Sequence, residues 1–288
     1  MKLHKFSKLA GFLSVAIIGS SLLTLGCSKD LELEQCKVNY SKYNYSEAFK
    51  FCSVAAEQGH AEAQFNLGVM YDNGQGVKQD YFKAVEWYQK AAEQGDASSQ
   101  FNLGYIYAHG QGVNQDYFKE VEWYQKADEQ GYARAQFYLG NMYQYGQGVK
   151  QDYFKAVEWY QKAAEQGLAY AQFGLGFMYH ECEGVKQDYI KAVEWYQKAA
   201  EQGYAKAQHN LGNMYYDGQG VKQDYFKAFE LWQKAAEQGI AQAQYTLGIM
   251  YYDGKGVRQN YTKAKEYFGL ACDNKYQDGC DIYKKLNQ

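Results

Sequence analysis

The chain has 288 residues with no proline, 29 glycines, 31 tyrosines and 18% aromatic residues, which excludes a disordered, collagen-like or proline-linked modular design. Its 30 Lys and Arg against 33 Asp and Glu leave no basic stripe to neutralise phosphates, which sets nucleic-acid binding aside. A hydrophobic share of 47% beside 22% charged residues fits a globular fold.

Taken in chain order, Lys2, Lys5 and Lys8 precede an uncharged apolar run of 17 residues from Leu9 to Leu25. The run is shorter than the roughly 20 apolar residues that span a bilayer, and Gly11, Gly19, Ser20, Ser21 and Thr24 interrupt it, so it reads as an export signal over residues 1–26 rather than an anchor. Thr24-Leu25-Gly26-Cys27 resembles the bacterial lipobox, whose cysteine sulfur receives a diacylglycerol and becomes the mature N-terminus. The fit is imperfect, because Thr24 stands where Leu is expected and Leu25 where a smaller residue is commoner. The resemblance implies a lipidated Cys27, with Ser28 directing the protein to the outer membrane; cleavage without lipid, giving a periplasmic or secreted protein, is the alternative. Without residues 1–26 the chain keeps 27 basic and 33 acidic side chains, a net charge of −6. Membrane attachment is then expected only through the lipid, and the exported compartment permits disulfides.

From residue 59 onward the sequence repeats itself. Gly59, Gly95, Gly131, Gly167, Gly203 and Gly239 are spaced 36 apart, as are Leu67, Leu103, Leu139, Leu175, Leu211 and Leu247. A fixed period of this size signals stacked repeats. Six units span 61–96, 97–132, 133–168, 169–204, 205–240 and 241–276, preceded by a linker and capping half-repeat at 27–60 and followed by a cap at 277–288. Each unit predicts two helices. In the first, Ala63, Leu67, Met70 and Tyr71 share one face, and Gly68 is expected to let a neighbouring helix approach. Gly74 and Gly76 break it. The second opens at Asp80, with Asp116, Asp152, Asp188, Asp224 and Asn260 as equivalent N-caps, and carries a seam of Tyr81, Ala84, Tyr88 and Ala91. Neither helix buries its stripe alone, whereas stacked units do.

The motif A-x-A-Q-F-x-L-G-x-M-Y, then G-x-G-V-x-Q-D-Y-x-K-A, then Y-x-K-A-A-E-Q-G is similar to the Sel-1-like repeat family, relatives of tetratricopeptide arrays, over about residues 45 to 280. The resemblance implies an all-α, right-handed α-solenoid acting as a scaffold for a protein or peptide partner, expected as a monomer, with no single activity attached. The family often has Pro before the Q-D pair, where this chain has Lys78, Asn114, Lys150, Lys186, Lys222 and Arg258.

Catalytic chemistry finds little support in the residues. Neither Ser-x-x-Lys nor Gly-x-Ser-x-Gly occurs, and after residue 60 the only serines are Ser98 and Ser99. A cysteine-rich subgroup of the family has been linked to penicillin binding and β-lactamase activity, so that activity and a host-directed secreted effector stand as alternatives to the scaffold. His180-Glu181-Cys182-Glu183 supplies ligands on only one side of a turn, and Gly74-x-Gly76 recurs as a turn rather than a phosphate loop. No metal or cofactor is expected.

Six cysteines are present. Cys272 ends a second helix and Cys280 begins the position of the next first helix, a spacing that resembles the disulfide within repeats of the cysteine-rich subgroup; Cys36 and Cys52 fall on two N-terminal helices and are expected to bridge similarly. Both bonds would staple ends that lack a neighbour. Cys182, at a position held by glycine in the other five units, is left unpaired.

Comparing the units with one another locates a surface. The second helices repeat Glu86, Glu122, Glu158, Glu194, Glu230 and Glu266 without change, whereas position 62 of the first helix and its equivalents are Glu62, Ser98, Arg134, Tyr170, Lys206 and Gln242. Positions 66, 69 and 73 vary too, and all four form one stripe, which in solenoids of this kind lines the concave face. The expected partner groove comprises Tyr105, Arg134, Tyr138, Asn141, Tyr145, Tyr170 and Phe177, since large, fairly rigid aromatics give binding energy at low entropic cost. A tyrosine-rich groove of this composition suits a peptide or a carbohydrate.

Overall fold

A computed structural model describes residues 31–288; the export signal expected over residues 1–26 and Cys27 lie outside the described residues. The described chain consists of α-helices and turns with no strand, and it falls into two compact units that meet in sequence at Gln130 and Gly131. Unit 1 contains α1 (31–41), α2 (Tyr45–Glu57), α3 (Ala61–Asn73), α4 (Tyr81–Glu93), α5 (Ala97–His109) and α6 (Tyr117–Asp128). Unit 2 contains α7 (Ala133–Tyr145), α8 (Tyr153–Glu165), α9 (Ala169–Glu181), α10 (Tyr189–Glu201), α11 (Ala205–Asp217), α12 (Tyr225–Glu237), α13 (Ala241–Asp253), α14 (Tyr261–Asp273) and the short α15 (Gln277–Lys285). Within each unit a first helix packs on its own second helix, and that second helix on the first helix of the next repeat, as an α-solenoid requires.

The predicted stripes form the core. Ala63, Leu67 and Met70 on α3 and Ala84, Tyr88 and Ala91 on α4 are buried, as are their equivalents through α13 and α14 with few exceptions. Tyr71 and Tyr81 differ from expectation and are only half-buried. Lys83 covers the Tyr71 ring 5.2 Å from its centroid, and the Tyr81 hydroxyl takes a hydrogen bond from Gln79, so both rings finish the edge of the core instead of filling it. At Gly68 what comes close is a ring of the neighbouring helix α4. A Cβ there would lie 2.6 Å from Cδ1 of Tyr88, and Gly104, Gly140, Gly176, Gly212 and Gly248 face Tyr124, Tyr160, Tyr196, Trp232 and Phe268 in the same way.

Helix termini follow the sequence closely. Asp80 accepts from the backbone N–H of Lys83 at 3.1 Å, and Asp116, Asp152, Asp188, Asp224 and Asn260 cap their helices likewise. First helices end on a left-handed residue, Gly74 or its equivalents, and Cys182 adopts that conformation at φ 64° although it carries a Cβ.

Most first helices lack a side-chain N-cap, and a ladder of glutamines does the joining instead. The buried Gln172 of α9 donates to the Ala164 carbonyl at the end of α8 (3.2 Å), while Gln202, after α10, donates to Gln172 Oε1 at 2.8 Å and to the Gly167 carbonyl at 2.9 Å. The same pairs recur as Gln64 with Gln94 and as Gln208 with Gln238. They add a second donor to carbonyls at the ends of the second helices, such as Ala164, which also accepts from the backbone N–H of Gly167.

Buried tyrosine hydroxyls need partners too. Tyr88 lies 3.4 Å from Asp72 on α3, and Tyr160 lies 2.6 Å from both Asn141 and Gln144 on α7. In the second repeat Ala108 stands where Asp72 does, and α6 buries a carboxyl of its own: Glu120, one turn before Tyr124, at a position that is Ala in the other five repeats. Burial pushes the Glu120 carboxyl up to about 7, with the nearby Tyr124 hydroxyl opposing the shift. Disulfides Cys36–Cys52 and Cys272–Cys280 join α1 to α2 and α14 to α15, and Cys182 is an exposed free thiol.

Candidate partner-binding surface

The diversified stripe runs along the first helices, and its two ends differ from its middle. In unit 2 the residues nearest the helix N-termini, Arg134, Tyr170, Lys206 and Gln242, are exposed, as are Tyr145, Glu181, Asp217 and Asp253 at the C-terminal ends. Between them Tyr138, Asn141, Phe177 and Asn213 are half-buried. The Asn141 amide is committed to the Tyr160 hydroxyl, and Asn213 Oδ1 accepts from the indole of Trp232 at 3.0 Å. Diversity in the middle of the stripe therefore answers in part to the ring beneath it. His209 is a further case: its backbone carbonyl accepts from Trp232, and burial pulls its imidazole down to about 4.

Tyr170 is the best-placed anchor among the predicted residues. It is 53% exposed, meets Tyr204 edge-on at 5.3 Å and lies 6.0 Å from the Phe137 ring. Tyr170 and Tyr204 border a shallow cleft of about 380 Å³ with Leu168 and Gln202. Burial and the neighbouring Tyr170 raise the Tyr204 hydroxyl above its ordinary value, so it remains a neutral donor. Tyr138 packs edge-on against Phe137 at 5.5 Å, and Tyr145 is 66% exposed. Tyr105 belongs to unit 1, where it stacks on His109 at 4.0 Å.

The second helices offer a different surface. A larger cleft of about 560 Å³ lies between α4 and α6, lined by Gln89, Glu93, Tyr107, Lys119, Glu122, Trp123 and Lys126. Its aromatic faces are taken: Lys126 sits 4.1 Å over Trp123 and Lys119 4.9 Å over Tyr107. Among the described residues no three His, Cys, Asp or Glu side chains gather to hold a metal ion.

Similarity to known proteins agrees with the repeat fold. The family model for the Sel1 repeat matches residues 39–60, 61–96, 97–132, 133–168, 169–204, 205–240 and 241–276. The chain belongs to the Sel1 repeat family. No curated protein matches the sequence. Among solved structures it is similar to a protective antigen present in uropathogenic Escherichia coli strains, at 36% identity and a TM-score of 0.84, covering 92% of this chain and 58% of that one. This chain therefore spans a little over half of that antigen's length. It is also similar to a Sel1 repeat protein from Oxalobacter formigenes, at 33% identity and a TM-score of 0.76, covering 83% of this chain and 96% of that one.

As a Sel1 repeat chain it is a member of a scaffold family whose function is generally protein interaction, and the variable stripe is where this member differs from repeat to repeat. Sequence reasoning passed over one feature of the second helices. Phe82 and Phe118 in unit 1, and Phe154, Ile190 and Phe226 in unit 2, all stand exposed at the second residue of a second helix. Their 36-residue spacing was available as a signal.

Proposed function

We propose that this Sel1 repeat protein is exported, is anchored by lipid at Cys27, and binds a protein or peptide on the first-helix stripe of unit 2. One observation carries the binding reading: the solvent-facing ends of the stripe change from repeat to repeat, whereas the equally exposed second helices keep Glu at the same position six times. Drift after duplication acts on both faces, so diversity confined to one of them marks the face under selection for a ligand. Tyr170 and Tyr145 supply exposed aromatic area at low entropic cost. Two disulfides support export, because such bonds persist in oxidising compartments. Among the described residues no helix is long and apolar enough to cross a membrane.

Tyr145→Ala and Tyr170→Ala test the surface. Both should weaken capture of a partner from the cell envelope while leaving the helical signal intact, and unchanged capture by both variants counts against it. Metabolic labelling with palmitate tests the anchor: label lost on Cys27→Ala supports it, and an unlabelled parent chain refutes it.

A further inference from the structure

The first helices of unit 2 carry one aromatic patch that the repeat itself does not supply. Tyr170 on α9 is aromatic at a position where the other five repeats hold Glu62, Ser98, Arg134, Lys206 and Gln242. Tyr204, at the start of α11, meets it edge-on at 5.3 Å, and Phe137 and Phe173 flank the pair at 6.0 Å from Tyr170 and 5.2 Å from Tyr204. The four rings make a continuous strip from α7 across α9 to the start of α11. No charged side chain lines the cleft beside it, although 22% of the chain is charged. Its hydrogen-bonding capacity is lopsided. Neither the Tyr170 nor the Tyr204 hydroxyl has a partner among the described residues, and both are phenolic donors. The first-turn N–H groups of α9 also lack a side-chain acceptor, because Leu168 stands at the cap position. The carbonyls beside them are in use: Gly167 accepts from the Gln202 amide at 2.9 Å and Leu168 from the backbone N–H of Gln172 at 3.0 Å. Donors therefore outnumber free acceptors.

A ligand matched to this cleft offers apolar rings and carbonyl oxygens but few N–H groups. In a helical peptide the backbone groups bond to one another, a β-strand brings as many N–H groups as carbonyls, and each sugar hydroxyl donates as well as accepts. A proline-rich segment meets the requirement: proline has no N–H, and the polyproline II helix has no internal hydrogen bonds, so its carbonyls stay free. Resting on the binding surface assigned above, we propose that the occupant of the Tyr170–Tyr204 cleft is a proline-rich segment in the polyproline II conformation. Its rings pack on the aromatic strip and its carbonyls accept from the two tyrosine hydroxyls. The segment holds this conformation before it binds, so little entropy is lost on docking.

Oligoproline, a glycine-serine peptide of the same length and a neutral chitin oligosaccharide, each titrated into the purified chain by isothermal calorimetry, test this. Oligoproline should bind on the order of ten-fold more tightly than either of the others, and added salt should leave its affinity unchanged, since no charge lines the cleft. Tyr170→Ala should weaken it by about ten-fold. A double variant, Tyr170→Phe with Tyr204→Phe, keeps both rings and should weaken oligoproline several-fold at an unaltered melting temperature, because neither hydroxyl has a partner within the fold. Equal binding of the two peptides, preference for the oligosaccharide, a steep loss of affinity with salt, or variants that bind like the parent chain overturn the proposal. Failure of oligoproline to bind overturns it as well. The surface is judged separately by the Tyr145 and Tyr170 capture experiment, so capture lost in those variants upholds the surface even where oligoproline is refused.

Discussion

The Tyr160 ring is held between two glycines whose replacement by alanine should have opposite effects. On one side Gly140 of α7 faces it so closely that a Cβ would lie 2.6 Å from both Cδ1 and Cε1. On the other, a Cβ at Gly174 of α9 would sit 3.5 Å from the ring, an ordinary van der Waals distance. Tyr160 is 2% exposed and its hydroxyl is held by Asn141 and Gln144, so the ring has no room to retreat from Gly140. Forcing an extra methyl into such a site costs about 1–3 kcal/mol, partly offset by the ~1 kcal/mol that alanine gains over glycine inside a helix. Gly140→Ala should therefore lose up to about 2 kcal/mol, whereas Gly174→Ala keeps the helix gain and should be stabilised by up to about 1 kcal/mol. At roughly 2–4 °C per kcal/mol for a chain of this size, the two melting temperatures should differ by several degrees in thermal denaturation followed by circular dichroism. Shifts of the same sign and size in the two variants would refute the claim that glycine at position 140 exists to admit the ring.

Three further outcomes are expected from the packing. Cys182→Gly should raise stability by about 1 kcal/mol, because it removes a side chain from a left-handed position at φ 64°; an unchanged or lowered melting temperature speaks against strain there. Glu120→Gln should stabilise the fold at pH 8 but not at pH 4. The buried acid is favoured in its protonated form, titrating near 7 in the fold and near 4.3 in the unfolded chain. Its stabilising contribution is therefore full at low pH and lost as pH rises through this window, by up to about 3 kcal/mol, and a difference between variant and parent that does not change with pH contradicts it. Gln172→Leu should cost about 0.5–1.5 kcal/mol in urea denaturation, because the Ala164 carbonyl and the Gln202 amide each lose one of their partners at the α8–α9 junction; a neutral result would mean that water replaces the ladder.

The repeat makes most of the fold legible in one dimension. A spacing of 36 fixes where helices begin and end, and the Asp caps and terminal cysteine pairs are local features whose partners lie within a few residues or on the adjacent helix. What escapes the sequence depends on contacts between residues about 30 apart. Gln64 and Gln94 are repeated in the motif, yet nothing in a one-dimensional pattern tells a ladder from a solvated face, so their mutual hydrogen bond emerges only with the packing. Glu120 replaces an Ala of the other five repeats, and its burial emerges only with the packing. The candidate surface is legible as a stripe but not in its depth. Equal variability at positions 134 and 141 conceals the fact that Arg134 is exposed whereas the Asn141 amide is bonded to a buried tyrosine.

Site-specific photocrosslinking in the native envelope examines the partner surface without any assumption about the partner. A photoreactive residue at position 170, on the first-helix stripe, is compared with one at position 158, where Glu158 stands on the second-helix face that does not vary. A discrete crosslinked species from position 170 and none from position 158 is the predicted result; crosslinking from position 158 alone, or equally from both, would contradict it.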